Sequence, residues 1–305
     1  MIHTSAPATL MLMGEHAVLH GEPALVAAAS SRLHVYLNPR SDRQISIQSA
    51  LGQLQTDLDH LSIAAPFQFI LTVIQNAQCQ QGFDLTVQSE FGATFGLGSS
   101  AAVLVATALA LRPKASTKEI FDLCYQSLIQ VQGRGSGADL IAAILGGIVF
   151  YRQIPFQAEK IWPQACFLPL PMTLLYCGYK TPTPEVIARV EAARQSQPAH
   201  FETLFHAIGE QVQRGKQSLL QGDLAAFGQC LQANQSLMEE LGVADSTLLE
   251  MIRRLEATPG IMAAKISGSG LGDCVFGLGE AEWTSCPWQK LALQLSPQGM
   301  SLHHD

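Results

Sequence analysis

Apolar and polar positions along the chain fall into two textures. Short apolar or alternating runs at 9–13, 33–37, 44–48 and 84–88 predict strands, whereas 67–77 (QFILTVIQNAQ) and 101–111 (AAVLVATALAL) predict buried helices. Residues 117–131 open with Thr117-Lys118-Glu119 and place Ile120, Leu123, Leu128 and Val131 at near-helical spacing, which predicts another helix. GRGSGAD, residues 133–139, then interrupts the pattern as a glycine-rich turn and feeds an apolar segment that ends at Gly146-Gly147.

The second half opens near 173 with a short strand (TLLYCGY) and continues through helical patterns at 183–195, 200–219, 223–240 and 246–257. Strand signals return in AAKISGSGLGDCVFGLG, 263–279. Strands, then helices, then strands again predict α+β layers rather than a repeating βαβ barrel. The change of texture predicts a domain boundary near 170, giving units 1–170 and 171–305. No repeat of solenoid length and no low-complexity segment interrupts this plan.

Composition narrows the function classes. With 48% hydrophobic and 14% charged residues over 305 positions, the chain has the apolar area for one large or two closely joined globular units. Its longest apolar runs fall short of the roughly 20 residues that cross a bilayer, and the N-terminus lacks a signal-peptide pattern, so a cytoplasmic protein without a membrane partner is expected. The net charge of −7, without any Lys/Arg block, argues against nucleic acid as a partner. Seven scattered cysteines (79, 124, 166, 177, 230, 274, 286) with no C-x-x-C pair argue against a disulfide framework and against a cysteine-based zinc site. His303 and His304 are expected to lie in a disordered end. The sequence leaves a homodimer open.

Chemistry concentrates in four segments. FGLGSSAAV, 95–103, sets two glycines and two serines before a long apolar helix, where unpaired backbone N–H groups can cradle phosphate oxygens; ordinary capping by Ser99 or Ser100 is the plainer alternative. In GRGSGAD, Asp139 is either a helix cap or a carboxylate aimed into a cleft, able to orient a substrate hydroxyl or take its proton. KISGSGLGDC, 265–274, is free to turn tightly around a ligand, or is a bulged hairpin. APATLMLMGEHAVLHGEPAL, 6–25, is an apolar strand that breaks at Gly14 and presents Glu15 and His16 side by side.

In order, spacing and wording, APATLMLMGEHAVLHGEPAL, GLGSSAAV and KISGSGLGD together resemble the GHMP kinase superfamily across nearly the whole chain. The resemblance implies an α+β, two-domain GHMP kinase fold: an N-terminal S5-like α/β domain, a C-terminal ferredoxin-like α+β domain, and a cleft between them that takes ATP and Mg²⁺. It further implies a nucleotide-binding loop of Gly96, Leu97, Gly98, Ser99, Ser100 and Ala101, with Ser100 also offered to the metal. Asp139 matches the catalytic aspartate, and Glu15, His16, Thr183, Gly268, Ser269 and Gly270 fall on the substrate side. Within the superfamily, GEHAVLHGEPAL and ANQSLMEELGVADSTLLEMI (233–252) are most similar to the mevalonate kinase branch, which implies phosphorylation of the primary hydroxyl of mevalonate. His16 stands where phosphomevalonate kinases usually carry tyrosine.

Two departures bear on the chemistry. The family's first motif normally ends in a lysine that activates the attacking hydroxyl, and here Ala8 and Thr9 stand in its place. The glutamate that many mevalonate kinases carry eleven residues before the aspartate as a metal ligand is Leu128 here, with no acidic residue between Asp122 and Asp139. One lost electrostatic contact in a dry site costs about 3–4 kcal/mol, which slows turnover without abolishing it. Arg134, Lys180 and Lys265 are the replacement cations within reach. Arg134 is the favoured catalytic one because it shares the aspartate's turn, and Lys265 is expected to be a solvated surface charge. The alternatives are a kinase for another small acid or a phosphorylated alcohol such as phosphomevalonate, and a weakly active kinase-fold binding protein.

Overall fold

The computed structural model describes residues 1–92, 95–162, 170–282 and 286–303. Cys166 and His304 lie outside these residues.

Strand β1 (Ile2–Met13) runs antiparallel to β2 (Ala24–Pro39), with irregularities of register between Pro7 and Thr9 and between Met11 and Met13. Both faces of β1 are covered over most of its length, which is why it reads as a continuous apolar run rather than an alternating one. β3 (Gln44–Ser49) and β4 (Gly52–Asp57) form a hairpin, α1 (Gln68–Ala77) follows, and β5 (Phe83–Ser89) inserts between β2 and β3. Then come α2 (Ser99–Leu111), α3 (Thr117–Gln132), α4 (Ala138–Leu145), β6 (Ile148–Arg152) and β7 (Gln157–Trp162). α3 starts on a Ser116/Glu119 capping box and stops at left-handed Gly133, so the glycine-rich turn begins where the helix's own signals end it.

The second half supplies β8 (Met172–Tyr176), α5 (Thr183–Ser196), α6 (Pro198–Gln221), α7 (Leu224–Glu240), α8 (Ser246–Glu256), β9 (Ile261–Ser267), β10 (Cys274–Gly279), β11 (Gln289–Leu291) and β12 (Ser301–His303). The first sheet runs β12-β1-β2-β5-β3-β4, with β6 and β7 attached to β2. The second runs β11-β8-β10-β9 and is antiparallel throughout. The architecture is mixed α+β, as the alternation of textures predicts. The predicted helices are present within a few residues of their expected ends.

One core packs α1–α4 against the first sheet through residues such as Val35, Ile47, Val73, Val105 and Ile141. A second lies between the sheets, where Ala8, Leu10 and Leu12 of β1 meet Val212, Phe227 and Phe276. β1 is therefore the shared wall of both layers, and whatever its C-terminal end presents falls at their junction.

The last strand differs from expectation. His303 is not in a disordered end but pairs with His3, because β12 continues the first sheet beyond β1. No helix among the described residues is long and apolar enough to cross a membrane.

Candidate active site

The turn before α2 is held open by two glycines in the left-handed region, Gly96 at φ +68° and Gly98 at φ +62°. Gly98 is the cap residue and has no side chain to give, so the two serines form the helix's first turn instead of capping it. Both glycines also make room. A Cβ on Gly98 would stand 1.8 Å from Thr9 Oγ1, and one on Gly96 would stand 2.6 Å from Asp273 Cγ. The loop thus seats itself on one residue from each half of the chain.

Thr9, 1% exposed, faces the loop and α4 from β1. Its N–H donates to Leu97 O (3.1 Å) and its hydroxyl donates to Asp139 Oδ1 (2.8 Å). Asp139 sits in the first turn of α4 after left-handed Gly137. Burial pushes its carboxyl above the ordinary range, opposed by the Thr9 hydrogen bond and then by the charge of Lys180.

Lys180 comes from the segment joining β8 to α5. Backbone bonds from Cys177 N to Asp273 O (3.0 Å) and from Asp273 N to Tyr179 O (3.0 Å) stitch this segment to the third glycine motif, and Thr181 Oγ1 donates to Leu271 O (2.5 Å). Lys180 Nζ lies 3.2 Å from the Asp273 carboxylate, which is almost wholly buried. Asp273 is a non-glycine residue at φ +67°. Such a conformation costs on the order of 1 kcal/mol and persists where the surroundings impose it. Burial raises its carboxyl, Lys180 draws it back down, and the nearby Asp139 charge raises it again. Arg134, favoured from sequence as the replacement cation, lines the cleft from an exposed position, and its charge bears on Glu191; the cation acting on Asp139 is Lys180. The difference arises because Lys180 is anchored by strand-to-loop bonds, whereas Arg134 sits exposed in the glycine turn at the cleft.

The expectation for Lys265 is corrected. It is not a solvated surface charge but fully buried in β9, with Nζ 2.5 Å from Glu15 Oε1. Burial pushes Glu15 up and Lys265 down, and each partner's charge works against the shift of the other. His16, at φ 59° and 6% exposed, hydrogen-bonds through Nε2 to Ser269 O (2.8 Å), so Nε2 carries the proton; burial lowers its pKa and keeps the ring neutral.

Glu15 and His16, Gly96, Gly98, Ser99, Ser100 and Ala101 of the loop before α2, Asp139, Thr183, Gly268 and Ser269 all line one cleft, together with Leu128. Two expected contacts turn elsewhere. Leu97 packs its side chain into the core between the sheets, and Gly270 packs under Val243, where a Cβ would stand 2.3 Å from Val243 O. Glu15 Oε2 and Ser269 Oγ are buried without a hydrogen-bond partner, and both residues belong to the cleft, whereas Asp273 Oδ1 is met by Lys180 Nζ at 3.2 Å. Buried polar atoms are normally satisfied, so two orphans in one cleft mark where a polar ligand completes the set. Asp273 was missed from sequence as a site residue. The available signal was the acidic residue closing an otherwise glycine, serine and leucine turn.

Helix-start N–H groups suit phosphate oxygens, and a carboxylate beside them suits an alcohol proton; phosphoryl transfer to a hydroxyl is the chemistry that uses both. The protein is a small-molecule kinase. More narrowly, it belongs to the GHMP kinases: the family's N-terminal domain model matches residues 66–147 and its C-terminal model residues 216–282. The chain is 29% identical to a mevalonate kinase of Pyrococcus horikoshii, over 90% of this chain and 87% of that one. It is 30% identical to one of Archaeoglobus fulgidus, over 91% and 92%. The fold is also that of a Lactococcus lactis galactokinase complexed with galactose, at TM-score 0.85 and 15% identity over 98% and 94% of the chains. Fold alone therefore leaves the acceptor open.

Proposed function

We propose that this kinase transfers a phosphoryl group from ATP to the primary hydroxyl of mevalonate, in the cytoplasm and in the service of isoprenoid precursor synthesis. The observation that carries the reading is His16. Its protonated nitrogen is committed to Ser269 O, so the other ring nitrogen of a neutral imidazole is left to accept from a substrate hydroxyl. Wording around His16 that resembles mevalonate kinases, and the relatives of that name, support the same acceptor.

In this reading the phosphate loop, Gly96 to Ala101, binds the nucleotide through backbone N–H groups. Asp139 orients the attacking hydroxyl and takes its proton, and Lys180 supplies the positive charge that Thr9 cannot. Asp273 positions Lys180, and Thr9 holds the Asp139 carboxylate at Oδ1. Arg134 at the rim serves a substrate carboxylate or a nucleotide phosphate. Residues 1–170, with β12 added to their sheet, form the nucleotide half, and the remainder of 171–305 closes the cleft from the other side. Ser100, Asp139 and Asp273 line the same cleft, and an oxygen-only donor set of that hydroxyl and those carboxylates fits Mg²⁺. When bound, Mg²⁺ supplies charge neutralisation at the phosphates.

A coupled ADP-release assay against mevalonate, phosphomevalonate, homoserine and galactose tests the reading, with the product located by phosphorus NMR. Mevalonate-dependent ADP formation is expected. Absence of turnover with mevalonate at every Mg²⁺ concentration overturns it. The exposed guanidinium of Arg134 in the cleft favours phosphomevalonate as the second reading, in which Arg134→Gln raises the acceptor's KM sharply.

A further inference from the structure

Outside the cleft, three strands of the first sheet each contribute a histidine to one spot. β12, β1 and β2 are consecutive in the sheet, with His3 opposite His303 on one side and opposite Tyr36 on the other, while His34 lies opposite Ser5. Side chains alternate along a strand, so His3, Tyr36, His34 and His303 share one face and the histidines are direct or diagonal neighbours. One ring nitrogen from each of the three lies within 4.8 Å of the others, and His3 Nε2 is 3.0 Å from His34 Nδ1.

We propose that His3, His34 and His303 form a binding site for a divalent transition-metal ion, zinc above all, that fastens the C-terminal strand to β1 and β2. A metal about 2.0–2.1 Å from each nitrogen needs nitrogens no more than about 4.2 Å apart, so the rings must rotate to close the remaining gap. Three imidazoles with neither thiolate nor carboxylate among them select zinc, copper or nickel over magnesium or calcium. Half-burial of all three leaves a fourth position for water.

The surroundings fit the role. Metal-binding imidazoles usually engage their second nitrogen with a carboxylate or another fixed polar group, which sets the tautomer. His34 Nε2 lies 3.3 Å from Glu90 Oε1, which leaves Nδ1 turned toward His3, and His303 Nε2 lies 2.8 Å from the buried Ser5 hydroxyl. Ser5 is itself fixed by Arg32 Nε at 2.8 Å, and the same guanidinium holds Gly299 O at 2.7 Å. Arg32 also opposes a second positive charge, which sets the affinity below that of an all-neutral site.

In the metal-free protein the His3 ring stacks between Tyr36 (4.3 Å) and His303 (4.1 Å). Lone pairs of parallel rings do not converge, so binding must swing the His303 ring out of the stack. This gives the site an optical signature in addition to an affinity.

The test uses the full chain after chelator treatment, titrated with zinc chloride by calorimetry and with cobalt(II) by visible absorption, in excess Mg²⁺. One zinc per chain with micromolar or tighter affinity is expected, together with the intense cobalt bands of a four-coordinate site and slowed amide exchange at residues 2–5 and 301–303. His34→Gln and His303→Gln should each weaken binding at least tenfold while leaving metal-free ADP formation and circular dichroism unchanged. Sub-stoichiometric zinc, affinity unaltered in both folded variants, or weak six-coordinate cobalt bands overturns the site.

Discussion

Lys265 Nζ and Glu15 Oε1 meet at 2.5 Å with both side chains sealed from water, so a charge pair joins the third glycine motif to the residue just past β1. Removing one member strands the other charge in the interior. Glu15→Gln and Lys265→Met should each cost about 3–5 kcal/mol in urea unfolding, and the double variant should cost much less than the sum of the two. Additive losses would show that the pair carries no coupling.

Asp139→Asn should separate activity from stability. Its carboxyl is raised in the folded state, so the folded protein holds the proton more tightly than the unfolded chain and loses stability as pH rises from the ordinary carboxylate range through the raised folded value. At neutral pH the neutral amide avoids that loss. Turnover should fall about 1000-fold while Tm rises by about 2 °C. In the unaltered enzyme, kcat should climb with pH as Asp139 ionises. A D139N variant with lowered Tm contradicts the sign.

Lys180→Met should lower kcat by about 100- to 1000-fold with little change in nucleotide affinity, and Lys180→Arg should recover part of the loss. Asp273→Asn, which loosens Lys180, should give a smaller loss in kcat. If Lys180→Met changes only KM, the lysine is a binding group.

Gly98→Ala pushes a methyl into Thr9 Oγ1 at a left-handed backbone position. A loss of about 1–3 kcal/mol in stability and more than tenfold in kcat is expected. Removing the hydroxyl in Thr9→Ala/Gly98→Ala should return part of the stability but not the rate, since Asp139 then lacks its donor. Calorimetry on the two variants, together with steady-state rates, reads both effects.

Elements with a strong period or a clear stop signal were legible in sequence. α3 shows both in its capping box and Gly133, and the loop before α2 shows its glycines beside an apolar helix. β4 (GQLQTD) was not, because its side chains are largely polar and it survives as one arm of a hairpin with β3. β11 and β12 are three residues each and exist only because an edge was waiting for them. The site followed the same rule. Residues near in sequence to a glycine turn could be named, but Lys180 and Lys265 owe their roles to partners 93 and 250 positions away. No local pattern encodes such a distance. Lys265 reads as a surface charge in the sequence because a lone lysine is almost always exposed, and only the glutamate across the junction reverses that expectation.

Pairing of His3 with His303 also sets a timetable. The outer edge of β1 at residues 3–5 stays unpaired during synthesis until the ribosome has released residues 301–303, although its other edge can zip onto β2 within the first 40 residues. Completion of the first sheet is therefore a late event, and a nascent chain stalled before that point carries an open strand edge of the kind that recruits other chains.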